Sequence, residues 1–217
     1  MTFYAVANGR TIGIFTTWDE CTESVKGYSG AIYKKFATKS NAEAFIENNQ
    51  KQCVIPLCKP DYYVYTDGAC SNNGKPNALA GIGIFFGLDD PRNVSERVEG
   101  KQTNNVAELT AILRTYSIIE SDIVLGKHIA IVTDSEYSIK CASSYGEKCQ
   151  KDQWRTEIPN KELVRNLYEL YNQKREFVQF SHIKAHTGNM DIHSIGNDQA
   201  DRLANAAIGL EKCPYAS

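Results

Sequence analysis

Residues 62–74, YYVYTDGACSNNG, decide how the rest of the chain is read. Tyr62, Val64 and Thr66 alternate with Tyr63 and Tyr65, a period of two in β-prone residues, so the run predicts a strand. Asp67-Gly68 closes it, and Ser71-Asn72-Asn73-Gly74 supplies a turn. Taken alone, an acid at a strand end is more often a turn former than a catalyst. The placement of the other acids changes that weighting.

Downstream, Ala78–Phe86 and Val94–Gly100 read as a second and third strand joined by a hairpin through GLDDPRN. Residues 104–121 read as a helix, because Leu109, Ile112, Leu113 and Tyr116 fall at helical spacing. HIAIVT, residues 128–133, is a strand apolar on both faces. It is followed at once by Asp134-Ser135 and a short helix to Ala142. Residues 160–174 predict a helix carrying Leu163, Leu167, Leu170 and Tyr171. Residues 177–182 predict a fifth strand. A last helix spans Asn197–Ile208, with Ala200, Leu203, Ala204 and Ala207 facing the sheet. Three meandering strands followed by helix–strand alternation indicate a mixed α/β sheet covered by helices.

Upstream the pattern differs. Residues 3–16 predict a hairpin turning at Asn8-Gly9. Residues 19–26 suit a helix capped by Thr17 or Asp19. Residues 31–37 predict a strand, and residues 40–49 a short helix with Ala42, Ala44, Phe45 and Ile46 inward. Tyr4, Trp18 and Tyr33 stand out beside Lys34 and Lys35, a combination suited to stacking on sugars or bases with phosphate contacts alongside. Composition alone favours the plainer alternative, aromatics in a small core and solvated lysines. The division expected is a small domain over 1–49, a linker over 50–60, a larger domain over 61–210 and a tail over 211–217.

The 217 residues are 42% hydrophobic and 23% charged, ordinary for a soluble globular protein. The start, MTFYAVANGRTIGIF, lacks the basic flank of a signal peptide. No apolar run approaches the ~20 residues of a membrane helix. The expectation is an intracellular protein, nuclear or cytoplasmic, with no membrane partner and acting as a monomer. The seven cysteines contain no C-x-x-C, so reduced thiols are expected. Residues 1–60 carry 7 Lys+Arg against 5 acidic residues, and residues 61–217 carry 17 against 21. An acidic balance fits a carboxylate-rich cation site and fits an ordinary acidic surface equally well.

Four acids recur at comparable places. Asp67 ends the first strand, Glu108 opens a helix, Asp134 ends the fourth strand and Asp201 is in the first turns of the last helix. Each also has a plain structural reading. Asp67 serves the turn, Glu108 pairs with Asn105 in a capping box, Asp134 caps the next helix and Asp201 complements a helix dipole. Together, strand ends and helix starts converge on one edge of an α/β sheet. Carboxylates so gathered repel unless cations neutralise them. Oxygen-only ligands select Mg²⁺ or Mn²⁺, and two such ions about 4 Å apart suit phosphoryl displacement.

The motifs YTDGACSNNG, QTNNVAEL, IVTDSEY, HIKAHTG and GNDQADRLA, in this order, make residues 61–210 resemble the catalytic domain of type 1 ribonuclease H. FYAVANGRTIGIFTTWDEC and YKKFAT…AEAFIENN make residues 3–49 resemble the RNA/DNA hybrid-binding domain at the N-terminus of the family's eukaryotic members. The resemblance implies a ribonuclease H-like mixed five-stranded sheet flanked by helices, with a small N-terminal three-stranded α/β domain. It implies hydrolysis of the RNA strand of an RNA/DNA hybrid with two Mg²⁺, or Mn²⁺ in their place, leaving 5′-phosphate and 3′-hydroxyl ends. Asp67, Glu108, Asp134 and Asp201 become the metal-binding acids, with Asp67 bridging, and His186 the mobile histidine. Asn73, Gln102, Asn104 and Asn105 match RNA-strand contacts, where an amide reads the 2′-hydroxyl that separates RNA from DNA. Lys101 and Thr103 match a DNA-phosphate pocket. Tyr4, Trp18 and Tyr33 would face the DNA sugars, and Lys34 and Lys35 its phosphates.

Two segments depart from the family pattern. The run from His186 to Asp201 is longer than in close relatives, and His193 inside it competes for the role of His186. In residues 145–155, YGEKCQKDQWR, the basic protrusion is reduced: Tyr145 and Cys149 take tryptophan-like positions, Asp152 replaces an asparagine, and Trp154 is a packing residue. Two rival readings are a non-catalytic hybrid-binding protein and a transposase or integrase of the same sheet architecture. The four acids oppose the first. The candidate RNA-reading asparagines and the N-terminal segment oppose the second.

Overall fold

A computed structural model describes residues 2–28, 31–53, 59–185 and 189–210. The chain divides into two compact units, Met1–Cys58 and Lys59–Ser217.

The first unit is a three-stranded antiparallel sheet in the order β2-β1-β3, built from β1 (Phe3–Asn8), β2 (Gly13–Phe15) and β3 (Ile32–Phe36). The connection from β1 to β2 runs through residues 9–12, longer than the two-residue turn that Asn8-Gly9 signals. Ser24 holds it, accepting from the Thr11 amide and donating to the Thr11 carbonyl. Helix α1 (Trp18–Val25) starts at a capping box of Thr17 and Glu20, so Thr17 and not Asp19 is the cap. Cys21 and Val25 of α1 pack on Val6. Helix α2 (Lys39–Cys53) buries Ala42, while Ala44, expected inward, is exposed. Because α2 runs to Cys53, residues 50–53 are helical and not linker; residues 54–58 lie outside the described residues.

The second unit is a five-stranded mixed sheet in the order β6-β5-β4-β7-β8. Its strands are β4 (Tyr62–Ser71), β5 (Leu79–Phe85), β6 (Val94–Arg97), β7 (Ile129–Thr133) and β8 (Val178–His182). The β4–β5 and β5–β6 pairs are antiparallel; β4–β7 and β7–β8 are parallel. Strand β4 runs on past Asp67, where it was expected to end: the acid is interior, and the strand ends at Ser71. Asn72 and Gly74 then take left-handed φ values of 51° and 80° to turn the chain.

Alternation along β4 sets up two faces. Gly68 meets helix α3 (Asn104–Val124), and Tyr65, Asp67 and Ala69 share the face covered by helix α7 (Ile192–Ala207). Gly81 and Gly83 of β5 let the backbone of α7 at Ala204 and Ala200 lie directly on the sheet. On the α3 side, Val64, Ile82, Leu109, Ile112, Ile131 and Leu167 belong to the main apolar core. Helices α4 (Glu136–Ala142), α5 (Ser144–Lys151) and α6 (Lys161–Lys174) complete that side. Helix α5 occupies the segment read as a protrusion: Cys149 is buried, Tyr145 is half-buried against the core and Trp154 is buried with its indole N–H donating to Gln150. Among the described residues no helix is long and apolar enough to cross a membrane. Cys21, Cys70, Cys141 and Cys149 are free thiols.

Candidate active site

The four acids come from four separate elements. Asp67 stands inside β4, Glu108 in α3, Asp134 directly after β7 and Asp201 in the third turn of α7. The plain structural reading of each acid is thereby displaced. Asp67 is in a strand and not a turn. Thr103 caps α3, accepting from the Val106 amide, so Glu108 has no place in a capping box with Asn105. Ser135, not Asp134, caps α4. Helix α7 starts at Ile192 under an Asp191 cap, so Asp201 is too far along to meet its dipole.

Oxygen atoms of Asp67, Glu108 and Asp134 lie within 4.8 Å of one another. Asp67 and Glu108 are 7% and 5% exposed, and Asp201 is 9% exposed. Burial, then the charges of Asp134 and Asp201, push the Asp67 carboxyl well above the usual carboxylate range; the Gly68 amide, donating at 2.8 Å, pulls the other way. Burial, then Asp67 and Asp134, raise Glu108 in the same sense. Glu108 Oε2 is buried and has no hydrogen-bond partner among the described residues. An acceptor-only oxygen in that position is costly unless a cation or a proton meets it. The all-oxygen donor set and this orphaned atom fit a hard divalent cation.

The acids open into a cleft of about 840 Å³ that is also lined by Asn73, Asn104 and Asn105. Asn73 Oδ1 accepts from the Asn104 amide at 3.4 Å, tying the β4 turn to the start of α3. Gln102 is not among the lining residues. Its amide is used internally, accepting from the Ala80 N–H at 2.7 Å and donating to the Val98 and Gly100 carbonyls. Lys101 is exposed, and Thr103 is half-buried with its hydroxyl oxygen capping α3.

His186 lies outside the described residues. His193 is in the first turn of α7, with its ring edge-on to Tyr63 at 4.6 Å and its Nδ1 3.3 Å from Tyr65 Oη. It does not line the acidic cleft. In the first unit, Trp18 lies between Tyr4 and Tyr33, at 5.5 and 6.0 Å between ring centroids, and is 49% exposed. Lys35 stands over Tyr4 on that side. Lys34 points to the opposite face, over Phe36, because neighbouring strand residues alternate.

Two site residues escape a reading centred on acids. Asn197 donates to Asp134 Oδ2 at 3.3 Å, and Asn205 donates to Asp201 Oδ1 at 2.9 Å. Their signal is spacing: each is four residues from Asp201, on the same face of one helix.

Comparison with known proteins agrees with this geometry. A family model described as RNase H matches residues 59–209, and one described as Ribonuclease H1 N-terminal domain matches residues 2–46. The ribonuclease H of Schizosaccharomyces pombe is 30% identical over an alignment 266 positions long, gaps included, covering 93% of this chain and 95% of that protein. Ribonuclease H1 of Homo sapiens is 30% identical over 259, covering 93% and 87%. Two solved structures share the fold. The prototype foamy virus RNase H domain does so at a TM-score of 0.51 and 21% identity, covering 67% of this chain and 93% of that one. The prototype foamy virus protease-reverse transcriptase (CSH mutant) does so at 0.56 and 24%, covering 70% and 22%. The chain therefore belongs to the ribonuclease H family of nucleases, with the N-terminal domain of the ribonuclease H1 members ahead of its catalytic domain.

Proposed function

We propose that this ribonuclease H cuts the RNA strand of RNA/DNA hybrids internally, using two Mg²⁺ ions held by Asp67, Glu108, Asp134 and Asp201, and leaves 5′-phosphate and 3′-hydroxyl ends. Mn²⁺ substitutes for Mg²⁺. The observation that carries the metal reading is the buried, unpartnered Oε2 of Glu108 beside two further carboxylates. When bound, the cations lower the pKa of the attacking water and offset charge on the departing 3′ oxygen. Asp67, whose carboxyl feels the charges of Glu108, Asp134 and Asp201, would hold the cations together with those acids. Asn73, Asn104 and Asn105 offer amides along the cleft to a 2′-hydroxyl. The Thr103 hydroxyl and Lys101 hold a DNA phosphate, and Tyr4, Trp18, Tyr33 and Lys35 grip the duplex from the first unit. His186 assists proton transfer or product release.

The test is to incubate the protein with labelled RNA/DNA, RNA/RNA and DNA/DNA duplexes in Mg²⁺ or EDTA, beside Asp67→Asn. Cleavage of RNA/DNA alone, in Mg²⁺ alone, and hybrid binding without cleavage by Asp67→Asn are expected. Normal cleavage by Asp67→Asn would sink the metal assignment. Hybrid binding without cleavage by the parent would favour a binding protein.

A further inference from the structure

Helix α7 lays a polar stripe on otherwise apolar helix–sheet packing. Asn197, Asp201 and Asn205 follow one another at intervals of four and are 2%, 9% and 5% exposed, between Ala200 and Ala204 at 0%. Residues so spaced share a helix face. The two amides reach different acids. Asn205 Nδ2 donates to the Asp201 carbonyl and to Asp201 Oδ1, both at 2.9 Å. Asn197 Nδ2 donates to Asp134 Oδ2 at 3.3 Å, joining α7 to the end of β7.

We propose that Asn197 and Asn205 are positioning residues of the acidic centre, whose amides select the carboxylate oxygens that Asp134 and Asp201 present to a divalent cation. The proposal rests on the metal reading above. An aspartate side chain has several staggered rotamers, and a fixed donor at one oxygen selects among them. The donors are neutral, so they steady gathered carboxylates without repelling a cation, as a lysine or arginine in the same place would.

Asn197 adds an independent sign. Its Oδ1 is buried with no hydrogen-bond partner among the described residues. Buried polar atoms are nearly always satisfied, and exceptions concentrate where function overrides stability. With Nδ2 committed to Asp134, the amide orientation is set by the carboxylate, and the acceptor is left without a partner as the consequence.

The experiment is calorimetric titration of Mn²⁺ into the full chain at neutral pH, with each variant's fold checked by thermal melting in EDTA. Asn205→Ala and Asn197→Ala are each expected to weaken Mn²⁺ binding about tenfold or more, as loss of an outer hydrogen bond to a metal ligand does. Asn197→Ala is expected to remain folded and melt cooperatively in EDTA, because it removes an unsatisfied acceptor together with the donor to Asp134. In an Asp201→Asn background, Asn205→Ala is expected to lose its effect on Mn²⁺ affinity, an outcome that a purely structural role would not give. If Asn205→Ala melts too low to titrate, Asn205→Ser serves and is expected to bind Mn²⁺ more weakly than the parent. Unchanged Mn²⁺ affinity in the folded variants, with the parent binding normally, overturns the assignment and leaves the metal reading standing. A parent that takes up no Mn²⁺ removes the metal reading and the assignment with it.

Discussion

Gly68 lies against the backbone of Glu108: a Cβ built on Gly68 would overlap the Glu108 amide nitrogen and the Ala107 carbonyl carbon. The residue next to Asp67 is thus what lets α3 bring its acid to β4. Gly68→Ala is expected to push α3 off the strand, at a cost of about 3 kcal/mol by overpacking, and to lower cleavage more than hybrid binding. Urea unfolding beside a cleavage assay checks it. Parent-like stability and rate would show that α3 can yield at that point.

The acidic centre predicts a pH dependence of stability in the absence of metal. Asp67 and Glu108 have folded-state pKa values raised above their ordinary 3.8 and 4.5, first by burial and then by neighbouring acids. A raised carboxyl contributes stability that is fully present below the unfolded value and is lost as pH rises through the folded value. In EDTA, Asp67→Asn is expected to melt above the parent at neutral pH, with the difference closing toward pH 4. Mg²⁺ is expected to cancel the variant's advantage. Calorimetry across pH with and without Mg²⁺ decides; equal melting temperatures at every pH in EDTA would contradict the repulsion.

His193 and His186 separate by readout. His193 packs on Tyr63 and Tyr65 at the start of α7. His193→Ala is expected to lose about 1 kcal/mol of stability with kcat close to the parent's. His186→Ala is expected to lower kcat about 10²-fold, the lower end for a proton-transfer group. A kcat loss confined to His193→Ala would reverse the two roles.

In the first unit, strand alternation distinguishes two adjacent lysines. Lys35 shares a side with Tyr4 and Trp18, whereas Lys34 lies over Phe36. Lys35→Ala and Trp18→Ala are expected to weaken hybrid binding while sparing kcat. Lys35→Ala is also expected to reduce the salt slope of binding by about 1, as loss of one phosphate contact does. Lys34→Ala is expected to do neither. Fluorescence anisotropy at several salt concentrations measures both, and equal losses from the two lysines would mean that both faces meet the duplex.

The points where expectation and structure part have physical causes. The last helix was expected to start at Asn197, yet α7 begins at Ile192. A Cβ at Gly196 would collide with the Tyr65 ring, so that glycine marks close packing and not a bend. Asp67-Gly68 suggested a strand end, and the strand continues because Gly68 answers to α3. Helix α5 carries a polar stretch whose few apolar residues give no clear period. Gln102 reads in sequence as one more amide beside Asn104 and Asn105, but three backbone groups occupy it.

What the sequence determined alone was chemical: two units differing in pattern and charge, a mixed five-stranded sheet, and four acids with asparagines near them. Those follow from local periodicity and side-chain type, which neighbouring residues suffice to express. Only the tertiary structure decided which groups meet. It placed Lys34 and Lys35 on opposite faces, directed Gln102 inward, and set Asn197 on Asp134 and Asn205 on Asp201. Such pairings depend on how strands and helices pack. There, a glycine that admits a helix backbone, or a helix face defined by steps of four, brings residues distant in sequence within hydrogen-bonding reach.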